Sequence, residues 1–234
     1  MTSQPESSAP NKHVRPKDAA TLVLLRKSSS GAEILMGRRR QNHVFMPNVF
    51  VFPGGRVDSA DAKVLAASEL RDDIRDRLMI SCSERRARTL ALSAIRETAE
   101  ETGVLVGVRS TLKKKKSVPA AWRAFSDAGL APALDTLDYV ARAITPPGNP
   151  RRFHARFFVT DASVAQGAQD ALTGDGELDE LSWVPIDSVK DLPSAWITRF
   201  VTNEVKQRLD GIDGKSALDR RIPVIKFRKI VEYD

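Results

Sequence analysis

Apolar positions along the chain follow two periods. Residues 21–25 read TLVLL, residues 28–31 read SSSG and residues 33–36 read EILM. Two short apolar runs around a Ser/Gly turn predict a β-hairpin. Residues 37–46 then lead into VFVF at 49–52, a third strand that stops at Pro53-Gly54-Gly55. From residue 62 the period changes. Leu65, Leu70, Ile74, Leu78, Leu90, Leu92 and Ile95 are spaced for helices. Residues 83–102 contain neither Gly nor Pro, and Gly103 is the expected stop before a strand at 104–106. Residues 119–134 read as a helix anchored by Trp122 and Phe125. Extended stretches follow at 139–143, 153–159 and 181–184, with a turn at 146–150. A short helix opens at 185–187, an amphipathic helix spans 196–209, and 223–227 reads as a last strand. Mixed strands and helices without repeats or a clean linker predict one α/β domain over residues 18–234. Residues 1–17 are polar and aperiodic, and read as a disordered tail.

A chain of 234 residues with 41% hydrophobic positions can bury a core of ordinary size. No apolar run approaches the ~18 residues of a membrane helix, and the N-terminus lacks the apolar stretch of a secretory signal. The single cysteine, Cys82, excludes a disulfide framework within the chain and fits a reducing, cytoplasmic setting. It also excludes a cysteine-built metal centre. Any metal would be held by carboxylate oxygens, which suits Mg²⁺ or Mn²⁺. The net charge of +7 is compatible with a polyanionic partner, whether a phosphorylated metabolite, a nucleic acid or a membrane surface, and chooses among none of these. Lys113 to Lys116 lack interleaved aromatics and read as a solvated loop, so nucleic acid is the less favoured partner.

The informative stretch is Arg96-Glu97-Thr98-Ala99-Glu100-Glu101-Thr102-Gly103-Val104. On a helix, Glu97, Glu100 and Glu101 stand at i, i+3 and i+4 and share one face. Three like charges at these spacings repel one another, and Arg96 offsets only part of that. A hard divalent cation would offset the rest. Upstream, Gly54-Gly55 ends an apolar strand and lets the backbone approach a ligand closely. An isolated ExxEE is more often a salt-bridged acidic surface. The glycine loop and the glycine stop around this one favour a site for metal-bound phosphate.

Residues 96–104 resemble the second half of the Nudix box, REUxEExGU, with Thr98 at an aliphatic position. Gly55, five residues and Asp61 resemble its first half, with Asp61 in place of glutamate. Residues 62–95 occupy an interval that seven residues fill in the standard box. Such an insertion resembles the coenzyme A diphosphatase-like branch of the Nudix hydrolases. So do the stretches 45–55 and 94–98, residues 144–146 with 151–158, and Glu177 followed by Trp183-Val184-Pro185. The resemblance covers roughly residues 19–209. It implies an α/β/α sandwich around a mixed sheet, with residues 62–92 as a helical insertion within the motif that folds back as an excursion or cap.

The resemblance further implies a Mg²⁺- or Mn²⁺-dependent hydrolase that cleaves a diphosphate in a nucleotide-derived small molecule, with coenzyme A or acyl-coenzyme A in view. Glu97, Glu100 and Glu101 would hold the metal, with a carbonyl from Gly54 or Gly55. Arg96 would orient a glutamate, and Glu97 or Glu177 would take a proton, although Glu177 also reads as an ordinary loop acid. The shorter side chain of Asp61 puts the structural role of that position in question. Arg38, Arg40, Arg152 and Phe45 join Gly54 and Gly55 as substrate-binding candidates, while Arg38–Arg40 also read as a solvated basic edge. His154 reads as structural. ADP-ribose, NADH or another nucleoside diphosphate derivative is the rival substrate class, and a non-catalytic nucleotide sensor is the rival function. A cysteine-dependent isomerase is disfavoured because Cys82 lies in the insertion. Many relatives are dimers, so a homodimer is among the assemblies to test.

Overall fold

The computed structural model describes residues 14–41, 46–110, 118–167, 172–210 and 221–234. Phe45, the lysine run and the first 13 residues lie outside the described residues.

In chain order, the strands begin with β1 (Lys17–Ser28), β2 (Gly31–Arg39), β3 (Phe50–Val51) and β4 (Gly54–Arg56). Helices α1 (Asp72–Met79) and α2 (Glu84–Thr102) follow, and then short strands β5 (Leu105–Val106) and β6 (Val108–Arg109). Next come α3 (Arg123–Asp127), β7 (Leu130–Ala131), β8 (Asp138–Ile144), β9 (Phe153–Asp161) and β10 (Ala165–Gln166). The chain continues through β11 (Leu178–Pro185), α4 (Trp196–Asp210), β12 (Pro223–Lys226) and β13 (Lys229–Tyr233). The main sheet has the order β11-β2-β1-β9-β8-β12-β13, with β3 paired to β2 and β4 paired to β1. It is mixed: β1 runs antiparallel to β2 but parallel to β9, from Lys17↔Phe153 to Leu25↔Asp161.

The unbroken apolar run at 21–25 is explained by burial on both faces, as in strands covered by helices above and below. Successive side chains on a strand point to opposite faces. Ala20, Leu22 and Leu24 enter the cluster under α1 and α2, while Val23 enters the cluster under α4. Phe158 and its neighbours Phe157 and Val159 divide the same way. The result is an α/β/α sandwich around a mixed sheet.

The insertion folds into α1 and the first turns of α2. Ile74 and Leu78 of α1 pack into the α2-side core, and Arg71 donates to the Asp135 carbonyl (2.8 Å) and pairs with Asp138. The segment buttresses one face of the sheet. Residues 119–134 do not form the single helix expected. A 3₁₀ turn at Ala120–Trp122, the short α3 and strand β7 replace it. Gly129, at φ +67°, and Pro132 stop helical propagation there.

Candidate active site

Helix α2 carries the acidic triplet. Ser83 caps its start by accepting from the Arg86 amide (3.3 Å). Gly103 ends it at φ +75°, where its N–H donates to the Ala99 carbonyl (2.9 Å). The carbonyls left over in the last turn are met by the following loop. Asp175 N–H donates to Glu100 O (2.8 Å) and Thr173 N–H to Thr102 O (3.1 Å). That clamp draws Glu177 towards the triplet, near enough to make proton loss from Glu97 and Glu101 harder.

The two glycines fit between a strand and a carboxylate. Gly54 and Gly55 of β4 pair with Thr21 and Ala20 of β1. A Cβ on Gly54 would lie 2.6 Å from Thr21 Cα, and a Cβ on Gly55 would collide with the Glu97 carboxylate. The Gly54 N–H donates to Glu101 Oε2 at 2.8 Å. Strand, glycine loop and acidic helix therefore meet as the sequence spacing leads one to expect.

Arg96 gathers the acids. Its Nη1 lies 2.8 Å from Glu97 Oε1 and 2.6 Å from Glu100 Oε2, and its Nη2 donates to the Arg56 carbonyl (2.9 Å). Its Nε lies 2.9 and 3.1 Å from the oxygens of Asp61. Asp61 is 1% exposed and also accepts from Ser93 Oγ (2.7 Å) and Trp122 Nε1 (2.9 Å). The question raised by its short side chain is answered by this geometry: three donors reach it. Trp122 reads as an apolar anchor in the sequence, and its indole N–H proves to be part of the support.

Burial is the main reason why the Glu97 carboxyl is pushed up to about 7, with Glu100 and Glu177 adding to the effect and Arg96 opposing it. Burial also holds Glu101 well above the usual carboxylate range against the Gly54 N–H and Arg39. Crowded, partly dehydrated carboxylates of this kind fit a hard cation, which would offset the repulsion and favour their ionised forms. Among the described residues, no three His, Cys, Asp or Glu side chains already converge on one point. Mg²⁺ does not require such a closed cage, because it keeps waters and substrate oxygens in its shell.

The basic candidates separate by strand parity. Arg38 Nη1 pairs with Glu180 (2.9 Å) and Arg40 Nε with Asp179 (2.9 Å), across the β2–β11 boundary. Arg39, the last residue of β2, lies on the alternate face, that of Leu35 and α2, where it lowers the Glu101 proton affinity, and it is also among the residues that line the adjoining cavity. Counting in twos from Leu35 is the signal that identifies it. Arg152 braces backbone instead, donating to Thr145 O (2.9 Å) and Val14 O (2.7 Å). His154 sits on the α2 side of the sheet, away from the cavity, among Asp18, Arg142 and Arg156. Cys82, half-buried, packs beside the α2-side core.

The glycine loop and Arg39 open onto a cavity of about 740 Å³ on the α4 side of the sheet. Its walls include Phe52, Phe153, Phe157, Trp196 and Ile225, with Arg199 and Arg228 also on the lining. An acidic, cation-fitting corner thus adjoins a large, mostly apolar chamber with basic groups.

No family model matches the chain. It is 30% identical to a Nudix hydrolase of Alicyclobacillus acidocaldarius in its crystal structure, with a TM-score of 0.57; the match covers 81% of this chain and 90% of that one. It is 29% identical over 177 residues to nudix hydrolase 7 of Caenorhabditis elegans, covering 72% of this chain and 51% of the relative. It is 29% identical over 133 residues to the acyl-coenzyme A diphosphatase NUDT19 of Xenopus laevis, covering 39% of this chain and 35% of the relative. The chain thus spans about half the length, or less, of the curated relatives it matches. Among the described residues, no helix is long and apolar enough to cross a membrane.

Proposed function

This chain belongs to the Nudix hydrolase family, and from that premise we propose that it hydrolyses a diphosphate linkage in a nucleotide-derived small molecule, coenzyme A or an acyl-coenzyme A being the first substrates to test. The observation that carries the reading is the packing of the Gly54-Gly55 loop, which lines the cavity, against Glu101 and Glu97, with Arg96 bridging Glu97 to Glu100. The likeness to a protein named as an acyl-coenzyme A diphosphatase supports the choice of substrate. So does a cavity with apolar walls and basic residues.

In this reading Glu97, Glu100 and Glu101, with a carbonyl of the glycine loop, hold Mg²⁺ or Mn²⁺. The ion supplies charge neutralisation on the diphosphate and lowers the pKa of the attacking water. Arg96 fixes the orientation of Glu97 and Glu100 without touching substrate. Glu97 or Glu177 accepts the proton of the water as it attacks one phosphorus in line with the departing phosphate oxygen. Arg39 attracts the anionic substrate towards the acidic corner, and the buried setting strengthens each of these interactions.

The test is a product-release screen with Mg²⁺ or Mn²⁺ on coenzyme A, acyl-coenzyme A, ADP-ribose, NADH and a dinucleoside polyphosphate, run beside Glu101→Gln. Cleavage of coenzyme A at its diphosphate, lost in the variant, is the expected result. Cleavage of another diphosphate alone would keep the chemistry and discard the substrate. Nucleotide binding without turnover would replace the enzyme by a sensor.

A further inference from the structure

The hairpin β12–β13 closes with a two-residue turn whose residues are unusual for it. Lys226 pairs with Lys229, and the turn residues Phe227 and Arg228 stand at φ +53° and +60°. Two left-handed residues in a two-residue hairpin make a type I′ turn, a place normally taken by Asn-Gly. A bulky aromatic residue in that conformation is an outlier. Burial does not account for it, since the Phe227 side chain belongs to a residue that is 63% exposed. Turn propensity and core packing would both select other residues here.

What Phe227 and Arg228 share is their position: both line the cavity that adjoins the acidic corner. Of the five non-glycine residues at positive φ among those described, three line this cavity, the third being Met46 from a different segment. Strained backbone gathered at one chamber, on separate elements, is the pattern of a ligand-binding wall. Arg199, near the start of α4, lines the same chamber and donates to the Ser194 carbonyl (2.9 Å). An aromatic face beside a cation suits a planar ring bearing an anionic group, through stacking and charge-assisted hydrogen bonds.

We propose that the Phe227-Arg228 turn is a specificity-determining wall that receives the base-and-phosphate part of the substrate lying away from the cleaved diphosphate. Arg228 pairs with a peripheral phosphate there, and Phe227 packs on the ring. The strained turn is retained because it aims both side chains into the chamber from an exposed hairpin tip. The inference rests on the nucleotide-derived substrate class proposed above.

Calorimetric binding to the full chain in the presence of a chelator tests it without turnover. The probes are coenzyme A and 3′-dephospho-coenzyme A, which differ by one peripheral phosphate. Arg228→Gln should weaken coenzyme A about tenfold, the scale of one charged hydrogen bond, and leave the dephospho form within about twofold. Phe227→Asn with Arg228→Gly, which installs the favoured turn, should weaken both probes further while the melting temperature stays at or above that of the unaltered chain. Affinity within twofold in both variants, or affinity that falls together with the melting temperature, would overturn the proposal, as would failure of the unaltered chain to bind either probe. The two readings fail separately. Weakened binding in the variants with no turnover by the unaltered chain sinks the hydrolase and keeps the wall; turnover with unchanged binding does the reverse.

Discussion

Arg96 holds Asp61 through its Nε, 2.9 and 3.1 Å from the two carboxylate oxygens, while its Nη1 holds Glu97 and Glu100. One guanidinium therefore ties a buried acid that precedes α1 to two acids of the α2 triplet. The planar fork of arginine suits it to both tasks at once, which a lysine could not do.

Removing Asp61 should cost more than removing an exposed acid. Asp61→Ala leaves Arg96, Ser93 Oγ and Trp122 Nε1 without their shared acceptor. Losing one member of a buried pair costs about 3–5 kcal/mol. Urea unfolding is expected to show a loss on that scale, and a loss below about 1 kcal/mol would contradict the assignment.

The Gly55 position should be sensitive in activity and tolerant in fold. A Cβ there meets the Glu97 carboxylate, so Gly55→Ala displaces a proposed metal ligand while leaving the β1–β4 pairing. The kcat should fall about 100-fold, the scale of a 1 Å misplacement, with the circular dichroism spectrum unchanged.

Arg39 and Arg40 should behave differently despite being adjacent. Arg39→Gln is expected to raise KM about tenfold, because Arg39 faces Glu101 and lines the cavity. Arg40→Gln loses only an exposed pair with Asp179, worth about 0–1 kcal/mol, and should leave KM within about twofold. Equal effects from the two would remove the parity argument.

His154 gives stability a pH dependence. Burial, then Arg156 and Arg142, lower its pKa to about 4 from 6.5. The unfolded chain thus takes up a proton between pH 6.5 and 4 that the folded chain refuses, so stability falls as pH falls through that window. The slope from this one residue reaches at most about 1.4 kcal/mol per pH unit. His154→Gln should flatten the curve there and leave it unchanged above pH 7, as followed by melting temperature.

The acidic helix is legible in the sequence because its signals are local. The 3.6 period, the absence of Gly and Pro, and the Gly103 stop all lie within one segment. The face shared by Glu97, Glu100 and Glu101 follows from spacing alone. Trp122 as a donor to Asp61 is not legible, since it depends on where residues 119–134 run after Gly129 and Pro132 break the expected helix. Arg38 and Arg40 look like the candidates until β2 and β11 are paired, and then Glu180 and Asp179 engage them. The wall at Phe227 and Arg228 is also invisible beforehand. A strand is expected through residue 227, and nothing in one-dimensional pattern says that a turn there reaches a cavity formed by β1, β9 and α4.

The parallel pairing of β1 with β9 bears on how the molecule is made. During synthesis β1 can find β2 at once, because only a tight turn separates them. Its other edge must wait until the chain has been extended through Asp161. For that interval a strand rich in Leu and Val offers an unpaired backbone edge, the kind of surface that recruits other chains. The glycine loop does not cover that edge, because β4 pairs with Ala19 to Thr21 on the β2 side of the strand, opposite β9. Slow translation between β4 and β9 would lengthen the period for which that edge of the central strand stands open.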